Sequence, residues 1–72
     1  MEPIKTIEEA MQCIESFEGL PKDFKLPISD QFQDPIGINM AIITDKILKR
    51  GWMADGFQQK EGYRIYRYKD GK

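Results

Sequence analysis

One glycine, Gly51, limits the possible folds of this chain more than any other residue, because a helical pattern meets a strand pattern there with no linker between them. A glycine in this place can adopt the left-handed conformation that commonly ends a helix. Such an ending would turn the chain back at once and bring Trp52 against Ile47. We therefore expect the helix and the following strand to pack together, with the large indole of Trp52 anchoring the domain.

Before Gly51, residues 35–50 predict one helix. Asp34 is a favoured N-cap residue, and Pro35 suits the first helical position because its missing N–H costs nothing there. Lysine and arginine side chains in the last turns interact favourably with the helix dipole. The apolar positions recur at helical spacing and form a predicted buried stripe of Ile36, Met40, Ala41, Ile43, Ile47 and Leu48.

After Gly51, residues 52–69 predict a β-hairpin. The segment 59–63 fits a three-residue turn with Gly62 in the left-handed conformation. This turn implies a regular register, because the residues facing each other across an antiparallel pair follow from the turn. The predicted facing pairs are Gln59 with Tyr63, Gln58 with Arg64, Phe57 with Ile65, Gly56 with Tyr66, Asp55 with Arg67, Ala54 with Tyr68, and Met53 with Lys69.

The predicted register gives the hairpin two different faces. The face turned to the helices carries Trp52, Ala54, Tyr66 and Tyr68, and Gly56 leaves room for the Tyr66 ring. The other face displays an apolar patch with a basic border, which consists of Phe57, Tyr63 and Ile65 beside Lys60, Arg64 and Arg67. A β-bulge that turns these apolar side chains inward is an alternative of equal weight.

The N-terminal part of the chain predicts a second helix. Thr6 and Glu9 match a capping box, in which the threonine side chain accepts a hydrogen bond from the N–H three residues later. Gly19 is the predicted helix end, with Leu20 folding back over it. The predicted apolar stripe consists of Ile7, Ala10, Met11, Ile14 and Phe17.

Between the two helices, Phe24–Ile28 alternates apolar and other residues as a short strand does. Pro27 confines this strand to a sheet edge, with its nitrogen facing outward. Residues 29–33 fit either one helical turn or a loop pinned by Phe32. The element order predicts an α+β fold in a single domain over residues 1–72, with an ordered core over about 6–69 and two helices packed on a two- or three-stranded antiparallel sheet.

The composition argues against several classes of function. The chain has no histidine and one cysteine, Cys13, so an internal disulfide is excluded and a zinc site would need carboxylates alone. Asp23, Asp30 and Asp45 are the acids without a predicted structural role, and they are scattered along the chain. Glycine-rich phosphate loops and membrane-length apolar runs are also absent from the sequence. We expect a cytoplasmic protein that is not an enzyme, with no catalytic, metal or cofactor site.

Charge is distributed unevenly along the chain. Residues 1–34 carry three basic and eight acidic side chains, a net charge of −5, whereas residues 35–72 carry eight basic and four acidic ones, a net charge of +4. Attraction between the two halves of one fold is the favoured interpretation. A basic binding surface on the helix and hairpin is the alternative.

These observations favour a small non-catalytic binding module that acts on a protein partner. Aromatic and arginine side chains are enriched at interface hot spots, and the predicted partner-binding residues are Phe57, Lys60, Tyr63, Arg64, Ile65 and Arg67. A second copy could also pair with a free strand edge, so a homodimer is an alternative. In element order the 35–50 helix and the 52–69 hairpin resemble the recognition helix and wing of winged-helix domains, which implies nucleic-acid binding through Lys46, Lys49, Arg50, Arg64, Arg67 and Lys69 as the alternative function.

Overall fold

Two helices pack on one side of a three-stranded antiparallel sheet in the computed structural model, which describes residues 2–72. The elements are α1 (Ile7–Ser16), a 3₁₀ turn (Pro21–Asp23), β1 (Lys25–Ser29), α2 (Ile38–Lys49), β2 (Trp52–Lys60) and β3 (Tyr63–Asp70). The strands lie in the order β1-β3-β2, so the last strand of the chain is the central one. The predicted α+β fold is confirmed.

The start of α1 is as predicted, but its end is not. The Thr6 hydroxyl accepts a hydrogen bond from the Glu9 N–H at 3.3 Å and donates one to the Glu9 carboxylate at 3.0 Å. The helix ends at Ser16, three residues before Gly19, and Gly19 has no positive φ. The backbone of Phe17 is extended, and its ring lies 5.0 Å from the ring of Phe24. Packing of this aromatic ring therefore accompanies an earlier helix end than the glycine predicts.

The start of α2 is later than predicted. Gly37 has a φ of 76°, and α2 begins after it, at Ile38. Asp34 still caps the helix, because its carboxylate oxygens accept hydrogen bonds from the N–H groups of Asn39 at 2.7 Å and Met40 at 3.2 Å. The left-handed glycine turns the chain so that a carboxylate five residues away reaches the first turn. Ile36, predicted in the buried stripe, lies outside the helix and is 76 % exposed.

The buried face of α2 is narrower than the predicted stripe. Ile43 and Ile47 are buried and Met40 is partly buried, but Ala41 and Leu48 are exposed. The helix ends as predicted, with Gly51 at a φ of 80° and its N–H donating to the carbonyl of Leu48 at 2.9 Å.

The hydrophobic core lies between the helices and the sheet. Trp52 is buried there, as expected, and its ring neighbours are Phe24 at 5.3 Å, Phe17 at 5.9 Å and Tyr68 at 6.5 Å. Ile47 belongs to the same core. The buried apolar side chains are Ile4, Ala10, Ile14, Phe24, Leu26, Ile28, Ile43, Ile47, Trp52 and Tyr68.

The predicted edge strand is present as β1, and it is partly covered on its outer edge. The Ile4 N–H donates to the carbonyl of Pro27 at 2.7 Å, and the Ser29 N–H donates to the carbonyl of Ile4 at 2.9 Å. The N and C=O of one strand residue point to the same side, so the Pro27 nitrogen faces outward as predicted. Ile4 is buried although it precedes the range in which we expect the core.

Residues 29–33 form a turn and not a piece of helix. Of the two predicted structures, the loop pinned by Phe32 is therefore the one observed. The Phe32 N–H donates to the carbonyl of Ser29 at 3.0 Å, and the Phe32 side chain packs against the core. The Ser29 hydroxyl accepts from the Gln31 N–H at 3.0 Å, which stabilises the turn.

The hairpin register is correct near Trp52 and wrong near the tip. Ala54 faces Tyr68 as predicted, but Phe57 faces Tyr66 instead of Ile65. Between these pairs β2 has one residue more than β3, so Asp55 and Gly56 both lie opposite Arg67 in a β-bulge. The prediction that Gly56 makes room for the Tyr66 ring is therefore wrong.

The tip and the bulge each contain a glycine with positive φ. The strands pair up to Lys60 and Tyr63, which leaves the two-residue turn Glu61-Gly62 instead of the predicted three. Gly62 has a φ of 84° and Gly56 a φ of 90°, values that side chains with a Cβ rarely adopt. The short turn and the bulge together shift the register by one residue between Phe57 and Lys60.

Candidate binding surface

The side chains of a strand alternate between the two faces of its sheet, so the register decides what each face displays. Leu26, Ile28 and Tyr68 are buried, and they place the helices on one face. The opposite face, named here the outer sheet face, contributes no residue to the buried core cluster, although Pro27 and Ser29 of β1 are buried on it. It consists of Lys25, Pro27 and Ser29 from β1, Met53, Gln58 and Lys60 from β2, and Tyr63, Ile65, Arg67 and Lys69 from β3.

The six predicted partner-binding residues do not all lie together. Four of them share the outer sheet face, namely Lys60, Tyr63, Ile65 and Arg67. Phe57 and Arg64 lie on the helix-bearing face, because the bulge moves Phe57 opposite Tyr66. The predicted apolar patch of Phe57, Tyr63 and Ile65 is therefore divided between two faces. The role of these residues in binding stays a prediction.

The centre of the outer sheet face is apolar. Ile65 and Tyr63 are partly buried on the central strand, and Pro27 is buried beside Ile65 on β1. Met53 on β2 is 40 % exposed. A flat apolar surface of this kind can bury further area against a partner.

Basic side chains border this apolar centre. Lys25 lies directly opposite Arg67, and both are exposed. Among residues 2–72 neither of these two forms an ion pair. Asp55, predicted to pair with Arg67, instead has its carboxylate 3.8 Å from the Lys69 amine. The bulge explains this correction, since it places two residues opposite Arg67 and turns Asp55 toward the next basic residue.

Lys25, Pro27 and Met53 were not among the predicted site residues. They join the surface because β1 pairs with β3 and Met53 pairs with Lys69. The alternation in Phe24–Ile28 predicts a strand, but it contains nothing that shows which residues of β3 lie opposite. Only a cross-strand register brings Lys25 to Arg67.

Phe57 forms a small aromatic cluster on the helix-bearing face. Its ring centroid lies 5.6 Å from that of Tyr66, and the guanidinium carbon of Arg64 lies 6.0 Å from the Phe57 centroid. Phe57 is nevertheless 53 % exposed. The cluster stabilises the hairpin beyond the bulge and leaves part of one aromatic ring in solvent.

The solvent-exposed side of α2 is mainly apolar. Ile38, Ile42 and Leu48 are exposed, and Lys49 is paired with Asp45 at 2.9 Å. Phosphate contacts need basic or hydrogen-bonding side chains, which this side of the helix offers sparsely. Lys46 and Lys49, two of the basic residues predicted for nucleic-acid binding, are each engaged in an ion pair.

Two basic side chains of α2 and its end, Lys46 and Arg50, contact α1 in the acidic half of the chain. The Lys46 amine lies 2.9 Å from the Glu15 carboxylate, which links α2 to α1. The Arg50 guanidinium donates to the carbonyl of Ile14 and lies 4.2 Å from the Trp52 ring centroid. These contacts agree with attraction between the halves as one source of the charge asymmetry.

Residues 2–72 include no group of three or more acidic, cysteine or histidine side chains placed to hold a metal ion. Cys13 is a free, partly buried thiol.

Burial raises the pKa of the Tyr68 hydroxyl above its ordinary value, and Tyr66 adds to the increase. The Tyr68 ring lies in the core, 5.7 Å from the Phe24 ring and 6.5 Å from the Trp52 ring. Within residues 2–72 we find no helix with the length and apolar character that crossing a membrane requires.

Comparison with known proteins gives no relative. The chain matches no family model, no curated protein and no solved structure.

Proposed function

We propose that this chain is a small non-catalytic module that binds another protein through its outer sheet face. The observation that carries the proposal is the combination of an apolar centre with a basic border on a face that lies opposite the helices. Ile65 and Tyr63 supply the centre, Met53 lies on the same face opposite Lys69, and Lys25, Lys60 and Arg67 supply the border. An apolar core inside a polar rim is the common anatomy of protein interfaces.

The distribution of the aromatic side chains favours a protein over a nucleic acid. A single-stranded nucleic acid binds where several aromatic rings share one surface with basic side chains. Of the three tyrosines of β3, Tyr66 and Tyr68 lie on the helix-bearing face, and Tyr63 alone lies on the outer sheet face. The aromatic and basic residues that alternate in the sequence are therefore separated by the pleat of the strand.

A pair of matched double variants tests the proposal. Met53→Glu with Ile65→Thr makes two apolar positions of the outer sheet face polar, one opposite Lys69 and one at the centre, and keeps a β-branched residue in the central strand. Ile42→Glu with Ile36→Thr makes the same chemical changes at exposed positions near α2. Proteins retained from the source cells by the wild-type chain are purified, and their affinity for all three chains is measured by calorimetry.

The proposal expects a stoichiometric complex with the wild-type chain and with the α2 variant. The outer-face variant should bind at least about tenfold more weakly, since two apolar contacts contribute about 1–2 kcal/mol or more to the free energy of binding at a typical interface. Circular dichroism of each variant establishes that it is folded. Equal affinity of the two variants contradicts the proposal, as does retention of nucleic acid alone, which nuclease treatment would reveal.

A further inference from the structure

We propose that the outer sheet face binds an acidic segment of its protein partner, with Lys25 and Arg67 as the paired anchor. This inference rests on the proposed function and names the chemistry of the partner. Three observations support it: two like charges face each other, a β-bulge lies beside them, and apolar side chains adjoin them.

The first observation is the pairing of Lys25 with Arg67. Directly facing like charges on neighbouring strands destabilise a sheet. Three basic side chains do form an ion pair, Lys46 with Glu15, Lys49 with Asp45 and Lys69 with Asp55. At Lys25 and Arg67 residues 2–72 provide no acidic partner. A carboxylate brought by another chain would remove the repulsion and bind both cations.

The second observation is the β-bulge beside Arg67. Two residues of the bulge, Asp55 and Gly56, lie opposite it, and the Asp55 carboxylate is directed to Lys69. A Cβ added to Gly56 would lie 3.7 Å from Nη2 of Arg67, so the Arg67 guanidinium lies close to the backbone of the bulge. Arg67 forms no ion pair within residues 2–72, and a planar guanidinium can donate two hydrogen bonds to one carboxylate.

The third observation is the order of side chains along the strands. The pair Lys25–Arg67 is followed on the same face by Pro27–Ile65 and then by Ser29–Tyr63. Successive pairs on one face are about 7 Å apart. A partner segment that fits this order carries acidic residues at one end and apolar residues next to them. An extended chain with that pattern matches the surface in both charge and hydrophobicity.

A selection experiment can determine the preferred chemistry before the partner protein is identified. Random short peptides displayed on phage are selected on the immobilised wild-type chain, and the composition of the enriched peptides is compared with that of the starting library. The same selection is run on the double variant Lys25→Gln with Arg67→Gln. Its matched control is Lys46→Gln with Lys49→Gln, which removes two positive charges on the other side of the sheet.

The inference expects aspartate and glutamate to be enriched, beside apolar residues, on the wild-type and control chains but not on the Lys25/Arg67 variant. A synthetic copy of an enriched peptide should shift the amide signals of Lys25, Ile65 and Arg67 in a titration followed by NMR. Its affinity should fall by about tenfold when glutamine replaces its acids, as expected for the loss of charge-assisted hydrogen bonds.

The other outcomes separate the two proposals. Enriched peptides that bind at Ile65 without any excess of acidic residues overturn the acidic partner and support the proposed function. No enrichment on the outer sheet face overturns both. Mixed-sequence single-stranded or duplex DNA that binds at Lys25 and Arg67 more tightly than the acidic peptide, with a steep dependence on salt, replaces both with the nucleic-acid alternative.

Discussion

The two faces of the three-stranded sheet differ in what their side chains contribute to stability. The helix-bearing face buries the rings of Phe24, Trp52 and Tyr68 within 5.3–6.5 Å of one another and thereby holds the fold together. The outer sheet face instead combines Ile65 with Lys25 and Arg67, which repel each other. Stability is therefore concentrated on one face, which leaves the other face free to carry residues unfavourable for folding. Substitutions on the two faces should have opposite effects.

The greatest loss of stability should follow a change on the helix-bearing face. Trp52→Ala should lower the free energy of unfolding by about 3–5 kcal/mol, because it leaves a cavity among three aromatic rings. Such a loss would unfold much of a domain of this size. Met53→Ala, the adjacent residue on the outer sheet face, should change the stability by less than about 0.5 kcal/mol. Urea denaturation followed by circular dichroism measures both values, and equal losses would contradict the division of roles between the faces.

High pH should lower the stability that the helix-bearing face provides. The raised pKa of Tyr68 means that its neutral form is favoured in the folded state, so the stability it provides is complete below the ordinary tyrosine pKa and is lost as pH rises above it. Each pH unit above about 10 should cost up to about 1.4 kcal/mol. Melting temperatures between neutral and strongly alkaline pH should fall less steeply in Tyr68→Phe than in the wild-type chain. Parallel curves for the two chains would remove Tyr68 as the cause.

The bulge links the two faces and can be tested by itself. Gly56→Ala should cost about 1–2 kcal/mol, because a residue with a Cβ is strained at a φ of 90°. Asp55→Ala, the other residue of the bulge, loses only an exposed ion pair and should stay within about 0.5 kcal/mol of the wild type. Thermal melts give the values. A Gly56 variant as stable as the wild type would show that the backbone can adopt another register.

The helix α2, which packs on the helix-bearing face, depends on its N-terminal cap. Asp34→Ala should lower the stability by about 1 kcal/mol, because two N–H groups of the first turn lose their acceptor. Asp30→Ala is a matched control, since the Asp30 carboxylate accepts no hydrogen bond from residues 2–72. Denaturant titrations should separate the two variants, and identical midpoints would mean that the Asp34 contacts contribute nothing.

A small gain in stability should follow a change on the outer sheet face. Lys25→Glu should raise the stability by about 0.2–1 kcal/mol, because it places opposite charges across from each other at Arg67. Lys49→Glu, which breaks a surface ion pair on α2, should not stabilise the chain. A decrease in melting temperature for Lys25→Glu would show that the like charges impose no cost on the fold.

Much of the architecture follows from local signals in the sequence. The capping box at Thr6, the left-handed Gly51 and the alternation around Pro27 each have one dominant physical cause, and each occurs in the structure. Two element boundaries differ because tertiary contacts or backbone geometry outweigh those signals. Phe17 leaves α1 to join the aromatic cluster, and the left-handed Gly37 delays the start of α2.

The outer sheet face was harder to predict than the fold. Its composition depends on the hairpin register, and one extra residue in β2 moves every side chain beyond it to the opposite face. Nothing in the local sequence distinguishes a bulge at Gly56 from a regular strand. The contribution of β1 depends in addition on a pairing between residues about 40 positions apart, for which a single sequence contains no signal.

The position of β3 has a consequence for how the protein can form. Both β1 and β2 pair with β3 and not with each other, although β3 follows them in the chain. During synthesis β1 therefore has no other strand of the sheet to pair with until Tyr63–Asp70 has left the ribosome. Its pairing closes a long loop, and contacts of this kind form slowly. The sheet can thus assemble only after translation has passed its central strand.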